Sequence, residues 1–170
     1  DRTITIVEKA LEIFPRVVVL PSTYKKHAKI DKFMTDKKSQ NIVFFRRDDY
    51  ISKEAIPKSI LAPDMALYID QIDLENTTTR EIGHFFRDDL ESLGKVNLSP
   101  INLNLSEYGN DQTDIKMFFE QINLYKEIHT DRLHGCIAGH LLGKDVFFYD
   151  NSYQKNSSFY KTFLEGYNNI

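Results

Sequence analysis

Residues 17–20 read Val-Val-Val-Leu and residues 42–45 read Ile-Val-Phe-Phe. Each run is short, wholly apolar and rich in β-branched or aromatic side chains, and Pro21 follows the first run. Such runs are typical of strands buried on both faces, as in a parallel sheet covered by helices. The two runs therefore predict strands of a mostly parallel α/β sheet.

Helical spacing alternates with these runs in the first half of the chain. Val7, Ala10, Leu11 and Phe14 have the i, i+3, i+4, i+7 spacing of one helix face, which Pro15 ends. Residues 53–55 are predicted to form a short helix with Ser52 as its N-cap. A turn-like segment at residues 61–64 then leads to a short apolar run at residues 65–69.

The second half repeats this alternation after a polar segment, residues 73–79, that is the predicted linker. Strands are predicted at residues 82–86 and 146–149, and helices at residues 115–125, 135–142 and 160–167. Gly143 ends the middle helix, and Ser157 or Ser158 is the expected cap of the last one. Residues 96–106 have no clear period and are expected to form a loop.

Composition excludes several classes of protein. The 170 residues include 22 Lys and Arg against 25 Asp and Glu, a formal charge of −3 without a long basic run, so bulk nucleic-acid binding is not expected. The longest apolar run has five residues, where a membrane-spanning helix needs roughly 20. Cys136 is the one cysteine, which excludes an internal disulfide framework. With no signal-peptide pattern at its start, the chain is expected to be cytoplasmic.

Polar side chains follow the predicted strands at the ends where parallel sheets gather ligands. Three of these five strand-end positions offer arginine: Ser22 and Thr23; Arg46, Arg47 and Asp48; Arg87, Asp88 and Asp89; residues 130–134; and Asp150 and Asn151. An arginine-rich rim on an acidic protein indicates a small anionic ligand.

The segment Thr130-Asp131-Arg132-Leu133-His134-Gly135 precedes a predicted helix, whose free N–H groups favour an anion. Thr130 or Asp131 is the expected cap of this helix. Arg132 has the fork geometry that grips a carboxylate or phosphate, and His134 is able to donate a proton or a hydrogen bond. The same pattern also suits a surface Asp–Arg pair and a capping histidine.

A zinc site built from His129, His134 and His140 is an alternative use of the histidines. Their spacings of five and six residues do not place three ligands on one helix face, and no H-E-x-x-H pattern occurs. His140 is expected to be a half-buried helix residue and Cys136 a small core residue.

Three segments, Thr130-Asp131-Arg132-Leu133-His134-Gly135, Leu141-Leu142-Gly143-Lys144 and the residues 150–160, resemble the C-terminal signature of the polysaccharide pyruvyl transferase family. Residues 45–52, 62–66 and 87–91 resemble that family's R-E/D-x-x-S, P-D-x-A and R-x-D-x-E segments, in the same order. Two departures stand out. Family members are normally much longer, and the family's L-P-Q-S segment stands here as Leu-Pro-Ser-Thr at residues 20–23.

The resemblance implies a GT-B-type architecture of two Rossmann-like domains facing a cleft. Residues 1–79 would be the remnant of an N-terminal half that begins inside its domain, and residues 80–170 a C-terminal domain carrying the donor-binding motif. The terminal helix from Ser158 would cross back over the first half.

The activity that the resemblance implies is transfer of a pyruvyl group from phosphoenolpyruvate to two sugar hydroxyls, as a cyclic ketal, in cell-surface or exopolysaccharide biosynthesis. His134 and Arg132 would be catalytic, and the substrate-binding residues would be Arg87, Leu133, Gly135, Asn151 and Lys155. The acceptor would be a saccharide or lipid-linked oligosaccharide, with peripheral membrane association as an option. No metal and no cofactor beyond the donor substrate are expected.

Two other functions stay open at this point. A glycosyltransferase that uses a nucleotide sugar on the same fold would place its diphosphate at the same arginines and helix start. A non-catalytic carbohydrate-binding or assembly subunit would bind sugar without turnover.

Overall fold

The computed structural model describes residues 2–70, 72–75, 77–93 and 101–170. These residues form two compact units, each with its own three-stranded parallel sheet. The first unit comprises the described residues of Asp1–Met65 together with Lys161–Phe163, and the second comprises those of Ala66–Tyr160 and Leu164–Ile170. The division into domains between residues 79 and 80 stays a prediction.

The first unit alternates helices and strands, so its parallel strands are joined by helical crossovers. The sheet has the order β1-β2-β3, with Val18 opposite Val43 and Phe45 opposite Ile60. Its elements are α1 (Arg2–Leu11), β1 (Val17–Ser22), α2 (Ala28–Thr35), a 3₁₀ turn (Lys37–Asn41), β2 (Ile42–Arg46), α3 (Ile51–Ala55) and β3 (Ile60–Leu61).

This sheet buries one face. The core of the unit consists of Ile4, Val7, Tyr24, Ile30, Phe33, Phe44, Ala55 and Ile56. On the opposite face Val18 and Leu20 are 58% and 62% exposed. The prediction of strands buried on both faces is therefore wrong for the described part of this unit, in which alternate residues of β1 face outward.

The second unit also alternates helices with parallel strands. The sheet has the order β4-β5-β6, and Gly83, Ile128 and Val146 lie side by side across it. The chain contains a 3₁₀ turn (Met65–Tyr68), β4 (Arg80–Phe85), a 3₁₀ turn (Leu105–Glu107), α4 (Ile115–Asn123), β5 (Tyr125–Thr130), α5 (Leu133–Leu141), β6 (Asp145–Phe148), α6 (Lys155–Phe159) and a π-helical turn (Tyr160–Leu164).

The central strand β5 was not predicted, and the helix expected at residues 115–125 ends at Asn123 instead. Tyr125, Ile128 and Thr130 of this strand are buried, whereas Lys126 is exposed. These three buried residues share no simple period, because Tyr125 to Ile128 is helical spacing and Ile128 to Thr130 is strand spacing. The strand is defined by its two neighbours rather than by its own sequence.

Helix α5 packs closely on this sheet because it carries glycine at the contact. A Cβ atom at Gly139 would overlap the Ile128 side chain and lie 2.9 Å from Cγ2 of Val146. The helix ends at Leu141 and is followed by Gly143, whose φ of 66° favours glycine, and the Lys144 N–H donates to the Gly139 carbonyl at 2.9 Å.

Two predicted helix caps are wrong. Helix α3 begins at Ile51, and the Ser52 hydroxyl instead donates to Asp48 and accepts the Tyr24 N–H at 2.8 Å. Helix α6 begins at Lys155, before Ser157 and Ser158 in the chain, so neither of them caps it.

Irregular segments pack on the second sheet. The Val146 N–H of β6 donates to the Asn169 carbonyl at 2.8 Å, and the Leu103 N–H donates to His84 of β4 at 2.9 Å. The predicted linker, residues 73–79, is irregular where described, and Asn123 Nδ2 donates to its Glu75 carbonyl at 2.8 Å. Of the loop predicted at residues 96–106, residues 96–100 lie outside the described residues.

Candidate functional site

The ends of β4, β5 and β6 bring the polar segments of the second unit together. These strands end at Phe85, Thr130 and Phe148, and the three residues lie side by side in the sheet. The segments that follow them contain Arg87, residues 131–132 and Asn151. The predicted convergence of polar residues at the strand ends is confirmed for this sheet.

The turn after β5 is held by hydrogen bonds to both neighbouring segments. The Thr130 hydroxyl donates to the Phe85 carbonyl at 3.0 Å and accepts the Arg132 N–H at 3.0 Å. Asn156 Nδ2 of α6 donates to the Asp131 carbonyl at 2.5 Å. These bonds fix the backbone from which the Arg132 side chain starts. The caps predicted for α5 are therefore wrong: Arg132 is the N-cap residue, and no side chain caps the helix.

Arg132 is a buried cation with neutral partners. Its side chain is 11% exposed, Nη1 donates to Ser106 Oγ at 2.8 Å, and Nη2 donates to Asn104 Oδ1 at 2.7 Å. Its carboxylate partner, Asp88, is 4.0 Å away, and Nε is buried without a hydrogen-bond partner among the described residues. Burial and then the charge of Arg87 lower the pKa of Arg132. A ligand anion would relieve both penalties.

Arg87 and Lys155 are neutralised by carboxylates. Arg87 holds Asp89 with two hydrogen bonds, from Nε at 2.9 Å and Nη2 at 2.6 Å, which lower the pKa of Asp89 to about 2. Glu91 Oε2 lies 3.1 Å from Arg87 Nη1 and 3.3 Å from Lys155 Nζ. The same hydrogen bonds to Asp89 raise the pKa of Arg87, so this cation is fully charged and already paired.

Asn151 supplies a second unpartnered donor. This residue is only 2% exposed, and its side-chain Oδ1 accepts the Lys155 backbone N–H at 2.9 Å. The side-chain Nδ2 has no hydrogen-bond partner among the described residues. Gln154 has a φ of 61° and precedes the first residue of α6. Asn156 Oδ1 is the remaining buried side-chain atom without a partner in the described chain. Unpaired buried polar atoms are costly, so each of these atoms is a candidate contact for a ligand.

The remaining predicted site residues, Leu133, His134 and Gly135, lie in the first turn of α5 and have different surroundings. Leu133 is buried, and a Cβ atom at Gly135 would lie 3.0 Å from Thr130 Oγ1, which explains the glycine. His134 is exposed and lines an apolar cavity of about 270 Å³ with residues of α4 and α5. This cavity is lined by none of Arg87, Arg132, Asn151 or Lys155.

The arginines at the end of β2 have structural partners in the first unit. Arg46 binds Asp49 through Nε at 3.1 Å and Nη2 at 2.6 Å, and Arg47 pairs with buried Asp64. Arg47 Nε also donates to Thr23 Oγ1 at 3.1 Å. The predicted anion rim is therefore occupied by internal carboxylates in this unit.

The histidines of the zinc alternative have separate partners. Both ring nitrogens of His129 are engaged, by Tyr149 Oη at 2.9 Å and by Glu127 at 2.7 Å. His140 is half-buried as predicted, and its Nδ1 lies 2.8 Å from Asn169 Oδ1. Among the described residues no group of three or more His, Cys, Asp or Glu side chains is placed to hold a metal ion.

Several site residues were missed by sequence reasoning. Asn104 and Ser106, which hold Arg132, lie in the segment without periodicity; Asn104 caps the 3₁₀ turn Leu105–Glu107 and Ser106 lies within it. Glu91 was noted as part of a motif but not as the carboxylate shared by two cations. Asn156 belongs to the stretch that carried the family resemblance.

Comparison with known proteins finds a short sequence relationship and structural relationships to solved proteins. A segment of 42 residues, 25% of this chain, is 45% identical to the Bacillus subtilis protein named "Putative pyruvyl transferase EpsO" and covers 13% of it. No protein-family model matches the chain. The short segment indicates a pyruvyl-transferase-like relationship, and a transferase is the function class that it supports.

The crystal structure of a Klebsiella pneumoniae protein, described as functionally uncharacterized, aligns with 96% of this chain at a TM-score of 0.75 and 24% identity. This chain covers 65% of that protein, less than two thirds of its length. At this identity the match shows the fold alone, a mixed α/β fold with two parallel sheets. No helix among the described residues is long and apolar enough to cross a membrane.

Proposed function

We propose that this protein transfers a pyruvyl group from phosphoenolpyruvate to two hydroxyls of a saccharide, forming a cyclic ketal. The observation that carries the proposal is the pair of buried donors, Arg132 Nε and Asn151 Nδ2, that lack partners among the described residues at the strand ends of the second unit. The short relationship to a pyruvyl transferase of Bacillus subtilis supports the same reaction class. Exopolysaccharide or cell-surface polysaccharide synthesis, in the cytoplasm, is part of this proposal.

The donor carries a carboxylate and a phosphate, and the site offers two kinds of cation for them. Arg132 has neutral partners and an unused Nε, so it would bind one anionic group directly. Arg87 and Lys155 would bind the other anionic group of the donor, which would displace Asp89 or Glu91 from these cations. An arginine binds such groups through two parallel hydrogen bonds, which fixes the orientation of the donor.

The first turn of α5 would complete the anion site. No side chain caps this nine-residue helix, so the backbone N–H groups of Leu133 and Gly135 are the natural donors to a phosphate. His134 would contact the phosphate or supply a proton from its exposed position on the same turn. The N-terminal end of the helix dipole adds to the attraction.

Catalysis then requires a proton on the terminal enol carbon and stabilisation of the leaving phosphate. Protonation makes the neighbouring carbon electrophilic, and an acceptor hydroxyl attacks it. Arg87, Arg132 and Lys155 would stabilise the charge that develops on phosphate as the bond to oxygen breaks. The GT-B arrangement, with residues 1–79 and 80–170 as facing domains, is part of the proposal and would supply the acceptor side of the cleft.

The proposal is tested by titrating phosphoenolpyruvate into the purified chain and measuring heat. Arg132→Ala should abolish binding, because it removes the cation whose Nε is unused. Arg80→Ala is the matched control: this exposed arginine lies at the amino end of the same sheet, and its loss should leave binding unchanged. Equal affinity of Arg132→Ala and the unaltered chain would contradict the proposal.

Two further titrations separate the alternatives. Binding of a nucleotide sugar with none of phosphoenolpyruvate would favour the glycosyltransferase. Binding of a saccharide without any phosphate release from phosphoenolpyruvate would favour a non-catalytic subunit.

A further inference from the structure

Two of the three buried aspartates among the described residues are fully compensated. Asp48 accepts the Ser52 N–H at 2.9 Å, the Ser52 hydroxyl and the Tyr50 N–H at 3.3 Å. Asp64 pairs with Arg47, whose side chain is itself buried. Both carboxylates therefore have the partners that buried carboxylates ordinarily need.

Asp131 is the third buried aspartate and it lacks this compensation. It is 5% exposed, and its Oδ1 accepts the Arg87 backbone N–H at 2.8 Å. Among the described residues no cation lies within ion-pair distance of its carboxylate. Burial raises the pKa of Asp131, and this effect exceeds the opposing influence of Arg132 and Arg87. The carboxyl therefore favours the protonated form more than an ordinary aspartate does.

The position of this carboxyl matters as much as its burial. Asp131 directly follows the central strand β5 and precedes Arg132, the cation with the unused Nε. Its backbone is fixed by Asn156 Nδ2 at 2.5 Å, and its side chain is tied to the backbone of Arg87. Of the three buried aspartates among the described residues, the least compensated one thus accepts the backbone N–H of Arg87 and directly precedes Arg132, the two arginines proposed to bind the donor.

We propose that Asp131 is the acid that protonates the donor in this reaction; the inference rests on the proposed pyruvyl transfer. The O–H bond of the carboxyl breaks, and the π electrons of the enol form the new C–H bond at its terminal carbon. The neighbouring carbon becomes a cation and takes up the first acceptor hydroxyl, whose proton returns to the Asp131 carboxylate. The phosphate leaves with the electrons of its C–O bond, the second hydroxyl takes its place, and the phosphate accepts the second proton.

Donor binding would strengthen this role. The charged groups that face the carboxyl are Arg87 after β4 and Arg132 at the start of α5. A bound anionic donor engages these cations and adds negative charge beside the carboxyl, so the neutral acid is favoured further until the proton is transferred. When the phosphate leaves, the positive charges of Arg87 and Arg132 again stabilise the Asp131 carboxylate.

The test compares Asp131→Asn with the unaltered chain in phosphate release from phosphoenolpyruvate, with methyl β-D-galactopyranoside as the acceptor probe. Asparagine keeps an acceptor for the Arg87 N–H but has no acidic proton, so the fold and donor affinity should persist. Release should fall by on the order of 100-fold or more, the scale of a lost general acid. Asp145→Asn, at the exposed amino end of β6, is the matched control and should leave release unchanged.

The pH profile distinguishes an acid from a merely structural residue. The unaltered chain should lose its rate as the pH rises through the pKa of Asp131 in the donor complex, and His134→Gln should keep this limb of the profile. Release by Asp131→Asn within tenfold of the unaltered chain would overturn the proposal for Asp131 alone. No release by the unaltered chain, with or without other glycosides, would overturn the pyruvyl transfer itself.

A second measurement holds even if Asp131→Asn fails to fold. Carboxyl ¹³C resonances of the unaltered chain, followed by NMR against pH, should show one buried aspartate that titrates above the usual range near 3.9. Its midpoint should rise when phosphoenolpyruvate is added. A midpoint at or below the usual range, or a fall on adding the donor, would overturn the inference.

Discussion

Glu91 is a carboxylate that an anion at the proposed site would have to displace. Its carboxylate contacts both Arg87 and Lys155, at 3.1 and 3.3 Å, and so occupies the position of a ligand charge. The side chain is about one-third exposed, which leaves room for it to move away. Internal carboxylates of this kind lower affinity because the ligand has to displace them.

Glu91→Gln should therefore raise the affinity for phosphoenolpyruvate several-fold, since the amide keeps the shape of the side chain but no longer neutralises the two cations. Calorimetry at low and high salt measures the effect, which should shrink as salt screens the charges. Glu120→Gln, at an exposed i+4 position of α4, serves as the control. A weaker affinity in Glu91→Gln would show that the carboxylate holds the cations in place instead.

At the scale of single elements, α5 depends on a glycine that a helix would otherwise disfavour. Gly139 lies against Ile128 and Val146, where an added Cβ has no space. Alanine forms helices better than glycine by about 1 kcal/mol, so any loss of stability on substitution has to come from packing.

Gly139→Ala should lower the free energy of unfolding by about 1–3 kcal/mol, the usual cost of overfilling a packed contact. Urea denaturation measures the change. Lys116→Ala, in α4, is a control for helix propensity, because its side chain is exposed and pairs with the exposed Glu120. A neutral or stabilising Gly139→Ala would mean that α5 moves away from the sheet at little cost.

The same elements show how far sequence reasoning reaches. The strands β1, β2, β4 and β6 and the helix α5 were predictable, to within about two residues at their ends, because apolar runs and Gly143 mark them locally. Strand β5 was not predictable, because Lys126, Glu127 and His129 interrupt its apolar residues. Its position is set by hydrogen bonding to β4 and β6. Asn104 and Ser106 were equally hidden, because no periodicity marks a side chain that supports Arg132 from an irregular segment.

On the scale of the whole molecule, His84 links stability to pH. It lies 5.3 Å from the His129 ring, and burial and then the charge of His129 lower the pKa of His84, with Glu127 opposing. A histidine with a lowered pKa takes up its proton more readily when the chain is unfolded. Stability from this group is therefore present above about pH 6.5 and is lost as the pH falls toward the lowered value.

Replacing His84 by Gln should flatten the loss of stability between pH 7.5 and pH 5, because the unfolded chain then binds one proton fewer. Urea denaturation at both pH values gives the change in the free energy of unfolding between them, which is compared for the unaltered chain and His84→Gln. His27→Gln, at the exposed cap of α2, is the histidine control. Parallel pH dependences in the unaltered chain and His84→Gln would contradict the expected linkage.

The contact between Asn169 and β6 also governs how molecules of this chain behave toward one another. The Val146 N–H lies on the outer strand of its sheet, and the Asn169 carbonyl occupies it. An outer strand with vacant hydrogen-bonding groups is a template on which another chain can add a strand. Residues 168–170 thus cover one hydrogen-bonding group of this outer strand, and their removal would leave that group open to strand addition by another chain.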